Sequence, residues 1–289
     1  MQAVKPDIDY RIEQFTVFND RQTSFYLHRT ERAVFEAVQR LSGDGTLRLL
    51  DVGCGLGMQA ARLALHGWKA YGIDASDQMM RLGQYRFYQV HRKVRFARGI
   101  AEALPFRSAT FDVVMCQGAM DHFAEKDVFV SEVARVLRPG GHFVVALANY
   151  ESISCRIGRA MHDLGRAFHV ETPQRYHFWR IPTDHTFVGS YRLVTGLANG
   201  ELRLARAHGV SMFLFLPPWR ELLEALPFRA SDAVFRVVDR LASRFPSAAD
   251  VVVATLHKED LSDLLRLRQD ARGNGKRQSS VAPVCLPQR

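Results

Sequence analysis

The chain has 289 residues, of which 47% are apolar, and a formal net charge of +9. This length suits one large domain with additions, enough to bury a substantial core. The first ten residues are polar and charged, unlike a secretory signal peptide, and no apolar run is long enough to span a bilayer. The four cysteines lie far apart without metal-binding spacing. We therefore expect reduced thiols, a cytoplasmic protein and no metal.

The positive charge raises the question of nucleic acid as a partner. Much of the excess is arginine spread along amphipathic segments, and a local basic cluster lies at residues 86–98. That cluster could face an anion, but a solvated helix end explains it more simply. No RNA-binding module is recognisable in the sequence, so no nucleic-acid partner is expected.

The first 45 residues predict an N-terminal helical cap. Residues 9–41 keep apolar side chains at helical spacing, and the glycines of residues 43–45 end the run. The front of this segment is rich in aromatic residues, namely Tyr10, Phe15, Phe18, Phe25 and Tyr26. These rings either pack across the mouth of a ligand site or simply pack on the core.

A strand, a glycine-rich turn and a helix start follow one another at residues 47–66. Residues 47–52 are short and apolar, as in a buried parallel strand. Gly53, Gly55 and Gly57 then occupy alternate positions, where the backbone can take unusual dihedral angles and a ligand can approach it closely. A second strand, residues 69–73, delivers Asp74, whose carboxylate can bind both hydroxyls of a ribose.

The spacing of this turn discriminates between nucleotide ligands. A dinucleotide fingerprint requires its third glycine at Met58, and a phosphate-binding P-loop requires a lysine after Gly57. Neither is present. Asp51, just before the first glycine, suits a ligand with an ammonium group better than one with pyrophosphate. S-adenosylmethionine carries an ammonium group and a ribose and has no phosphate.

The string Asp-Val-Gly-Cys-Gly-Leu-Gly, which begins at Asp51, resembles motif I of the class I S-adenosylmethionine-dependent methyltransferases. Residues 99–106 resemble the adenine loop of the ubiquinone- and menaquinone-methyltransferase-like branch (methyltransferase type 11), although Ile100 stands where that branch often has aspartate. The Phe-Asp pair at Phe111 and the string Val-Leu-Arg-Pro-Gly-Gly at residues 136–141 are also similar to the family pattern. Together the resemblance covers residues 49–148.

The alternation of predicted strands and helices makes the chain an α/β protein. Ser76 is the expected N-cap of a helix reaching about residue 90, strands are expected at 94–98, 111–116 and 142–148, and a helix at 125–137. The resemblance implies a doubly wound, seven-stranded Rossmann-like sheet. Its implied strand order is 3-2-1-4-5-7-6, with strand 7 antiparallel.

Beyond residue 148 the sequence predicts a core with two insertions. The core spans residues 46–257, with a helix and loop over the substrate side at 149–187 and two amphipathic helices within 218–246. Between them we expect a helix at 189–208 and a strand at 210–216, and a last strand at 250–256. Residues 258–289 predict a basic, largely disordered tail that starts with a short helix.

The resemblance also implies which residues hold the donor. They are Asp51, Gly53, Cys54, Gly55, Gly57, Asp74, Ala75, Met79, Ala101, Glu102, Cys116 and Gln117. Because Ile100 replaces an aspartate, backbone groups near Ala101 and Glu102 are expected to contribute more of the adenine recognition.

Two histidines are the candidates for the catalytic base. His122 follows the fourth strand at the topological switch point, and imidazole suits proton transfer near neutrality. His185, in an Asp-His pair, resembles an acid-His pair that often precedes the next helix in this branch. His177 and Trp179 rank third. For each, packing or loop hydrogen bonding remains the alternative.

The predicted function is methyl transfer from S-adenosylmethionine to an oxygen, nitrogen or carbon of a small molecule, such as an apolar, quinone-like or natural-product-like acceptor. Two other functions stay open: a non-methylating use of the same fold, as a cyclase or partner subunit, and RNA methylation. The chain is expected to be a monomer or homodimer. The helices of 218–246 could cover the substrate, form a dimer surface, touch a membrane surface peripherally, or contact only protein.

Overall fold

The computed structural model describes residues 21–43, 46–86, 93–169, 178–198, 200–213, 216 and 225–260. Its strands are β1 (Arg48–Val52), β2 (Lys69–Asp74), β3 (Arg95–Arg98), β4 (Phe111–Gln117), β5 (Leu137–Ala148), β6 (Leu202–Val210) and β7 (Val251–Lys258). Its helices are α1 (Arg21–Gln39), α2 (Met58–Leu65), α3 (Asp77–Arg86), α4 (Lys126–Val136), α5 (Ile153–Ala167), α6 (Tyr191–Thr195) and α7 (Phe228–Arg244).

The seven strands form one sheet in the order β3-β2-β1-β4-β5-β7-β6. The first five strands pair in parallel, and β7 runs antiparallel to both β5 and β6. The predicted fold class, strand order and antiparallel seventh strand are therefore confirmed. In this order β1 and β4 are adjacent, so the glycine-rich turn and the loop after β4 leave the same edge of the sheet.

Both faces of the sheet are covered, which explains the apolar strand sequences. In β1, Leu50 belongs to one buried cluster and Leu49 to another, because successive side chains point to opposite faces. Val114 and Val113 of β4 divide in the same way. Central parallel strands are thus buried on both sides and read as continuous apolar runs.

The region between residues 189 and 216 differs from its prediction. We expected a helix at 189–208 and a strand at 210–216, but helix α6 stops at Thr195 and residues 202–210 form β6. Ser211 and Phe213 have positive φ, so the strand cannot continue past Val210. In the sheet order β6 is an edge strand, whose mixed Leu, Arg and Ala sequence resembles a helix face more than a buried strand.

Smaller boundary shifts occur elsewhere. Strand β5 begins at Leu137 rather than at residue 142, because Leu137 already pairs with Phe111. The expected cap of α3 is present, since the Ser76 Oγ accepts a hydrogen bond from the Met79 N–H at 3.2 Å.

Residues 1–20, 217–224 and 261–289, His177, and the side chain of Phe25 lie outside the part described, so the division into cap, core and tail stays a prediction.

Helix α1 is held to α7 by ion pairs between the buried Arg29 and two partly exposed aspartates. The Arg29 side chain is 8% exposed; its guanidinium donates to Asp239 and lies 3.7 Å from an Asp232 oxygen. It also lies 5.3 Å from the centre of the Phe235 ring.

None of the described helices is long and apolar enough to cross a membrane.

The half-buried His208 of β6 should make stability depend on pH. Burial, with Arg206 and Arg40 adding to the effect and Glu36 and Asp239 opposing it, lowers the His208 pKa to about 4. The unfolded chain therefore takes up this proton first as the pH falls, so stability is intact above about pH 6.5 and declines below it. Between pH 7 and pH 5 the His208 contribution to the free energy of unfolding should fall by about 2 kcal/mol.

Denaturant unfolding at the two pH values measures this loss. A His208→Gln variant should show a smaller pH dependence than the parent, whereas the exposed-site control His66→Gln should keep it. Equal pH dependence in the His208→Gln variant and the parent would contradict the assignment.

Candidate donor and acceptor site

The turn after β1 takes the left-handed backbone that its glycines permit. Gly53, Gly55 and Gly57 have φ values of 70°, 51° and 72°. A Cβ built on Gly53 would lie 2.4 Å from the Ala119 Cβ, so the loop after β4 packs directly on this turn. Only glycine meets both requirements at residue 53, because a side chain there would be strained and would collide with that loop.

Two aspartates flank the turn. Asp51 is 4% exposed, and its burial, followed by the nearby Asp74, raises its pKa to about 8. The Asp74 Oδ2 accepts a hydrogen bond from the Gly55 N–H at 2.7 Å, and its Oδ1 accepts one from the Ser76 N–H at 2.8 Å. Burial raises the Asp74 pKa, while these two bonds lower it.

This electrostatic arrangement fits S-adenosylmethionine. A buried carboxyl with a raised pKa is stabilised in its charged form by a cation nearby, and the donor offers an ammonium group. No lysine follows the glycines to bind a phosphate. The glycine turn and its two acids therefore suit a positively charged nucleoside better than a nucleotide.

The remaining predicted donor residues lie around this turn with different degrees of burial. Met79 is buried, with its Cε 3.6 Å from a Cβ built on Gly55, and Cys116 and Ala101 are also buried. Ala75 and Cys54 are half-buried. The Glu102 carboxylate accepts hydrogen bonds from the Ala124 and Glu125 N–H groups at 2.7 and 3.2 Å. The Glu102 side chain thus stabilises the start of α4.

A cavity of about 650 Å³ extends from the glycine turn to the loop before α6. Seven of the predicted site residues line it: Asp51, Gly53, Cys54, Gly55, Gln117, His122 and His185. The wall opposite the sheet comes from α1, through residues that include Tyr26, Leu27 and Thr30. Tyr26 both lines the cavity and packs on the core, so it does not decide between the two interpretations of the N-terminal aromatic residues.

A pair of amides holds α1 over this cavity. The Gln59 side chain donates to the Gln117 Oε1 at 2.9 Å and to the Glu31 carbonyl at 2.8 Å. Gln59 therefore connects the start of α2, the end of β4 and the helix that covers both.

The two candidate histidines meet at the far end of the cavity, together with a residue that the sequence did not single out. The His122 and His185 rings lie 4.6 Å apart, edge to face. Asp121 is 4% exposed and lies between them, with one oxygen 3.3 Å from the His185 Nδ1 and the other 3.9 Å from the His122 Nε2. The Asp184 Oδ2 lies 3.5 Å from the His122 Nδ1. We call Asp121, His122, Asp184 and His185 the Asp-His cluster.

Asp121 also connects the two chain segments that form the cluster. Its backbone carbonyl accepts hydrogen bonds from the Thr186 N–H at 2.8 Å and the Thr186 Oγ1 at 2.9 Å. Two Asp-His dipeptides, at 121–122 and 184–185, were visible in the sequence and are the signal that could have identified Asp121.

The protonation of His185 follows from its surroundings. Burial lowers the pKa of His185, Asp121 acts in the opposite direction, and His122 lowers it further. The net direction is downward, which favours a neutral imidazole that can accept or relay a proton.

The same side chains are close enough to share a cation. One possible ligand atom from each of Asp121, His122 and His185 lies within 4.8 Å of the others. Two imidazoles and a carboxylate are a common ligand set for divalent transition metals. This arrangement makes metal removal a necessary control for any acid–base role of the cluster.

Of the third-ranked candidates, His177 and Trp179, the structure describes only Trp179. Trp179 is 8% exposed and packs on α5, where a Cβ at Gly158 would lie 2.3 Å from its ring. This contact agrees with the packing alternative. His177 lies outside the described residues. Pro182, Asp184 and His185, which belong to the predicted insertion, line the cavity.

Comparison with known proteins agrees with the geometry. Residues 50–145 match the family described as methyltransferase domain. The chain is 28% identical over 204 residues to the ubiquinone biosynthesis O-methyltransferase of Parvibaculum lavamentivorans, covering 70% of this chain and 77% of that protein. It is 36% identical over 121 residues to the O-methyltransferase rstn1 of Aspergillus nomiae, covering 40% of this chain and about half, 53%, of that protein. The crystal structure of the cyclase SpnF has a TM-score of 0.52 at 21% identity, covering 79% of this chain and 80% of that one, and shows likeness of fold.

The sheet order, the glycine turn with its two acids and the family match define a class I S-adenosylmethionine-dependent methyltransferase, whose cofactor is S-adenosylmethionine. Within this class the chain is similar to a ubiquinone biosynthesis O-methyltransferase, at 28% identity over 204 residues.

Proposed function

We propose that this protein transfers a methyl group from S-adenosylmethionine to a hydroxyl oxygen of a small-molecule acceptor. The observation that carries the proposal is the single cavity that joins the glycine turn to the Asp-His cluster. Oxygen is favoured over nitrogen or carbon because hydroxyl acceptors benefit most from a base, and the cluster offers two imidazoles. The names of the two O-methyltransferase relatives support the same choice.

In this proposal the donor occupies the turn. Asp51 faces the ammonium group, the backbone of Gly53, Gly55 and Gly57 lies against the methionine part, and Asp74 binds the ribose. Ala75, Met79 and the backbone at 101–102 surround the adenosine, while Cys54, Cys116 and Gln117 complete the wall between turn and sheet. When bound, the cofactor supplies a methyl group already activated by its positive sulfur.

The acceptor occupies the other end, with its hydroxyl beside His122. The protein's task is to orient this oxygen, exclude water and take one proton. Fixed orientation alone can lower the barrier by roughly 7–11 kcal/mol, and a positioned base adds about 10²–10⁴-fold. His122 takes the proton, and His185, held by Asp121, orients the His122 ring.

The test of the function is methyl transfer from labelled S-adenosylmethionine to hydroxylated metabolites, with the products identified by mass spectrometry. Comparing the metabolites of a deletion strain with those of its parent would identify the natural acceptor. If the protein binds the cofactor but labels no metabolite, a cyclase or partner-subunit role would replace this proposal. Salt-sensitive RNA binding with labelled RNA would assign RNA methylation instead.

We place this activity in the cytoplasm, acting as a monomer or homodimer on a small-molecule partner without nucleic acid. Peripheral membrane contact by α7 is part of the same hypothesis, because apolar Val237, Leu241 and Phe245 are exposed beside its arginines. Co-sedimentation with anionic vesicles tests that contact.

Replacing Asp74 with alanine should weaken cofactor binding by roughly 1.5–3 kcal/mol, since hydrogen bonds to a charged group are lost. Part of this loss reflects the Gly55 N–H, which would also lose its carboxylate acceptor. Calorimetric titration with S-adenosylhomocysteine measures the effect. The exposed neighbour Asp77 provides the control variant Asp77→Ala, and unchanged affinity in Asp74→Ala would exclude the ribose assignment.

A further inference from the structure

The charges around the cavity are the observation from which the acceptor's chemistry follows. Among the residues that the structure describes, the cavity wall contains Glu31, Asp51 and Asp184 and no lysine or arginine. The chain as a whole carries a net charge of +9. The described cavity wall therefore carries acidic and no basic side chains, although the protein as a whole is basic.

We infer that the acceptor is a hydroxylated molecule that carries no carboxylate or phosphate group. This inference rests on the proposed function, because it concerns the molecule that receives the methyl group. It narrows that function to neutral or positively charged acceptors, such as an uncharged phenol or an aminoalkyl phenol.

The acids are distributed over both ends of the cavity. Asp51 lies at the glycine turn, where the ammonium group of the donor balances it. Asp184 lies at the other end, 44% exposed, beside His122, and the buried Asp121 stands directly behind the two histidines. An acceptor held at the Asp-His cluster thus has two carboxylates as its nearest charged neighbours.

The cavity wall also includes the apolar side chains of Leu147, Pro182 and Val251. An anionic acceptor would lose water and face like charges, both of which cost free energy, whereas a neutral or cationic one would not.

Three catechols that share one ring and differ in charge test the inference directly. Ethylcatechol is neutral, dopamine is a cation, and dihydroxyphenylacetate is an anion at neutral pH. Their binding to the full chain saturated with S-adenosylhomocysteine can be measured by calorimetry, independently of methyl transfer. We expect ethylcatechol and dopamine to bind about tenfold or more tightly than dihydroxyphenylacetate.

Charge changes at Asp184 provide the second measurement. Asp184→Asn should reduce the preference, and Asp184→Lys should bring dihydroxyphenylacetate level with dopamine or ahead of it. Asp127 is 87% exposed on α4, and the control Asp127→Lys, which changes the net charge equally, should leave the order unchanged.

Each outcome decides the inference. Equal or tighter binding of dihydroxyphenylacetate to the parent protein, or no binding of any of the three, overturns it. The same is true if Asp127→Lys changes the order as much as Asp184→Lys. If the binding order holds but no hydroxyl is ever methylated, the proposed function fails while the charge selection of the cavity stands.

Discussion

Replacing Asp239 with alanine should lower the free energy of unfolding by about 1.5–3 kcal/mol, the typical contribution of a hydrogen bond to a charged group. The reason is the position of Arg29, which is 8% exposed and would keep its charge without its nearest carboxylate. Asp239 also accepts the Ser211 N–H at 3.0 Å, so a second buried donor would lose its acceptor.

Chemical denaturation of Asp239→Ala measures this loss. The matched control is Asp77→Ala, which removes the same residue type from an exposed pair with Arg81, where the two side chains are 44% and 78% exposed. Exposed pairs contribute little, and the control should change stability by less than about 1 kcal/mol. Similar losses in both variants would mean that the Arg29 pair does not behave as a buried one.

This pair has consequences for the site as well. Arg29 belongs to α1, whose residues 26–31 cover the cavity, and Asp239 belongs to α7 beyond the sheet edge. Weakening the pair should therefore loosen the wall of the cavity before the core of the sheet. S-adenosylhomocysteine, by binding only the folded protein, should restore part of the lost stability.

The sheet was predictable because its central strands are buried on both faces. In β1 and β4 the middle of each strand is buried and mostly apolar, so both strands are visible in composition alone. The glycine turn was equally visible, since positive φ at Gly53, Gly55 and Gly57 allows few alternatives to glycine. The strand order needed the family resemblance, because crossover connections leave no trace in local sequence.

Strand β6 was missed for the opposite reason. As an edge strand it exposes Arg203 and Arg206, and its apolar residues do not alternate regularly. Whether residues 202–210 form a strand is decided by their pairing with β7. The paired residues are far apart in the sequence, from Val210 with Val251 at one end to Leu202 with Lys258 at the other. Local propensity does not contain that information.

The glycine turn and its two acids could be predicted from the sequence, and the Asp-His cluster only in part. Asp51 and Asp74 follow strands at the same sheet edge, so their proximity follows from the fold. The meeting of Asp121 with His185 depends on a loop more than 60 residues later, which two hydrogen bonds to Thr186 hold in place. Sequence spacing does not predict such a contact.

The largest catalytic effect should come from His122→Ala. In the proposed mechanism His122 takes the acceptor proton as the methyl group arrives, and losing a positioned base costs about 10²-fold or more in turnover. Its position supports this role: the ring lines the cavity between the glycine turn and Asp184, and it lies against His185 at 4.6 Å. Affinity for S-adenosylhomocysteine should change little, because the donor lies at the other end.

Steady-state kinetics separates proton transfer from substrate positioning. A base acts in the transition state, so His122→Ala should lower kcat while KM for the acceptor stays close to the parent value. A raised KM with near-normal kcat would mean that His122 only lines the pocket. The exposed His66 supplies the control variant His66→Ala, which should retain full activity.

Metal removal completes the assignment, because Asp121, His122 and His185 could instead share a cation. A base needs no metal, so protein dialysed against a chelator should keep its turnover with any hydroxyl acceptor. Loss of activity on chelation, restored by a divalent ion, would transfer the role of the cluster from proton acceptor to metal ligand. In that case His122→Ala and His185→Ala should weaken metal binding to a similar extent, since each would remove one ligand.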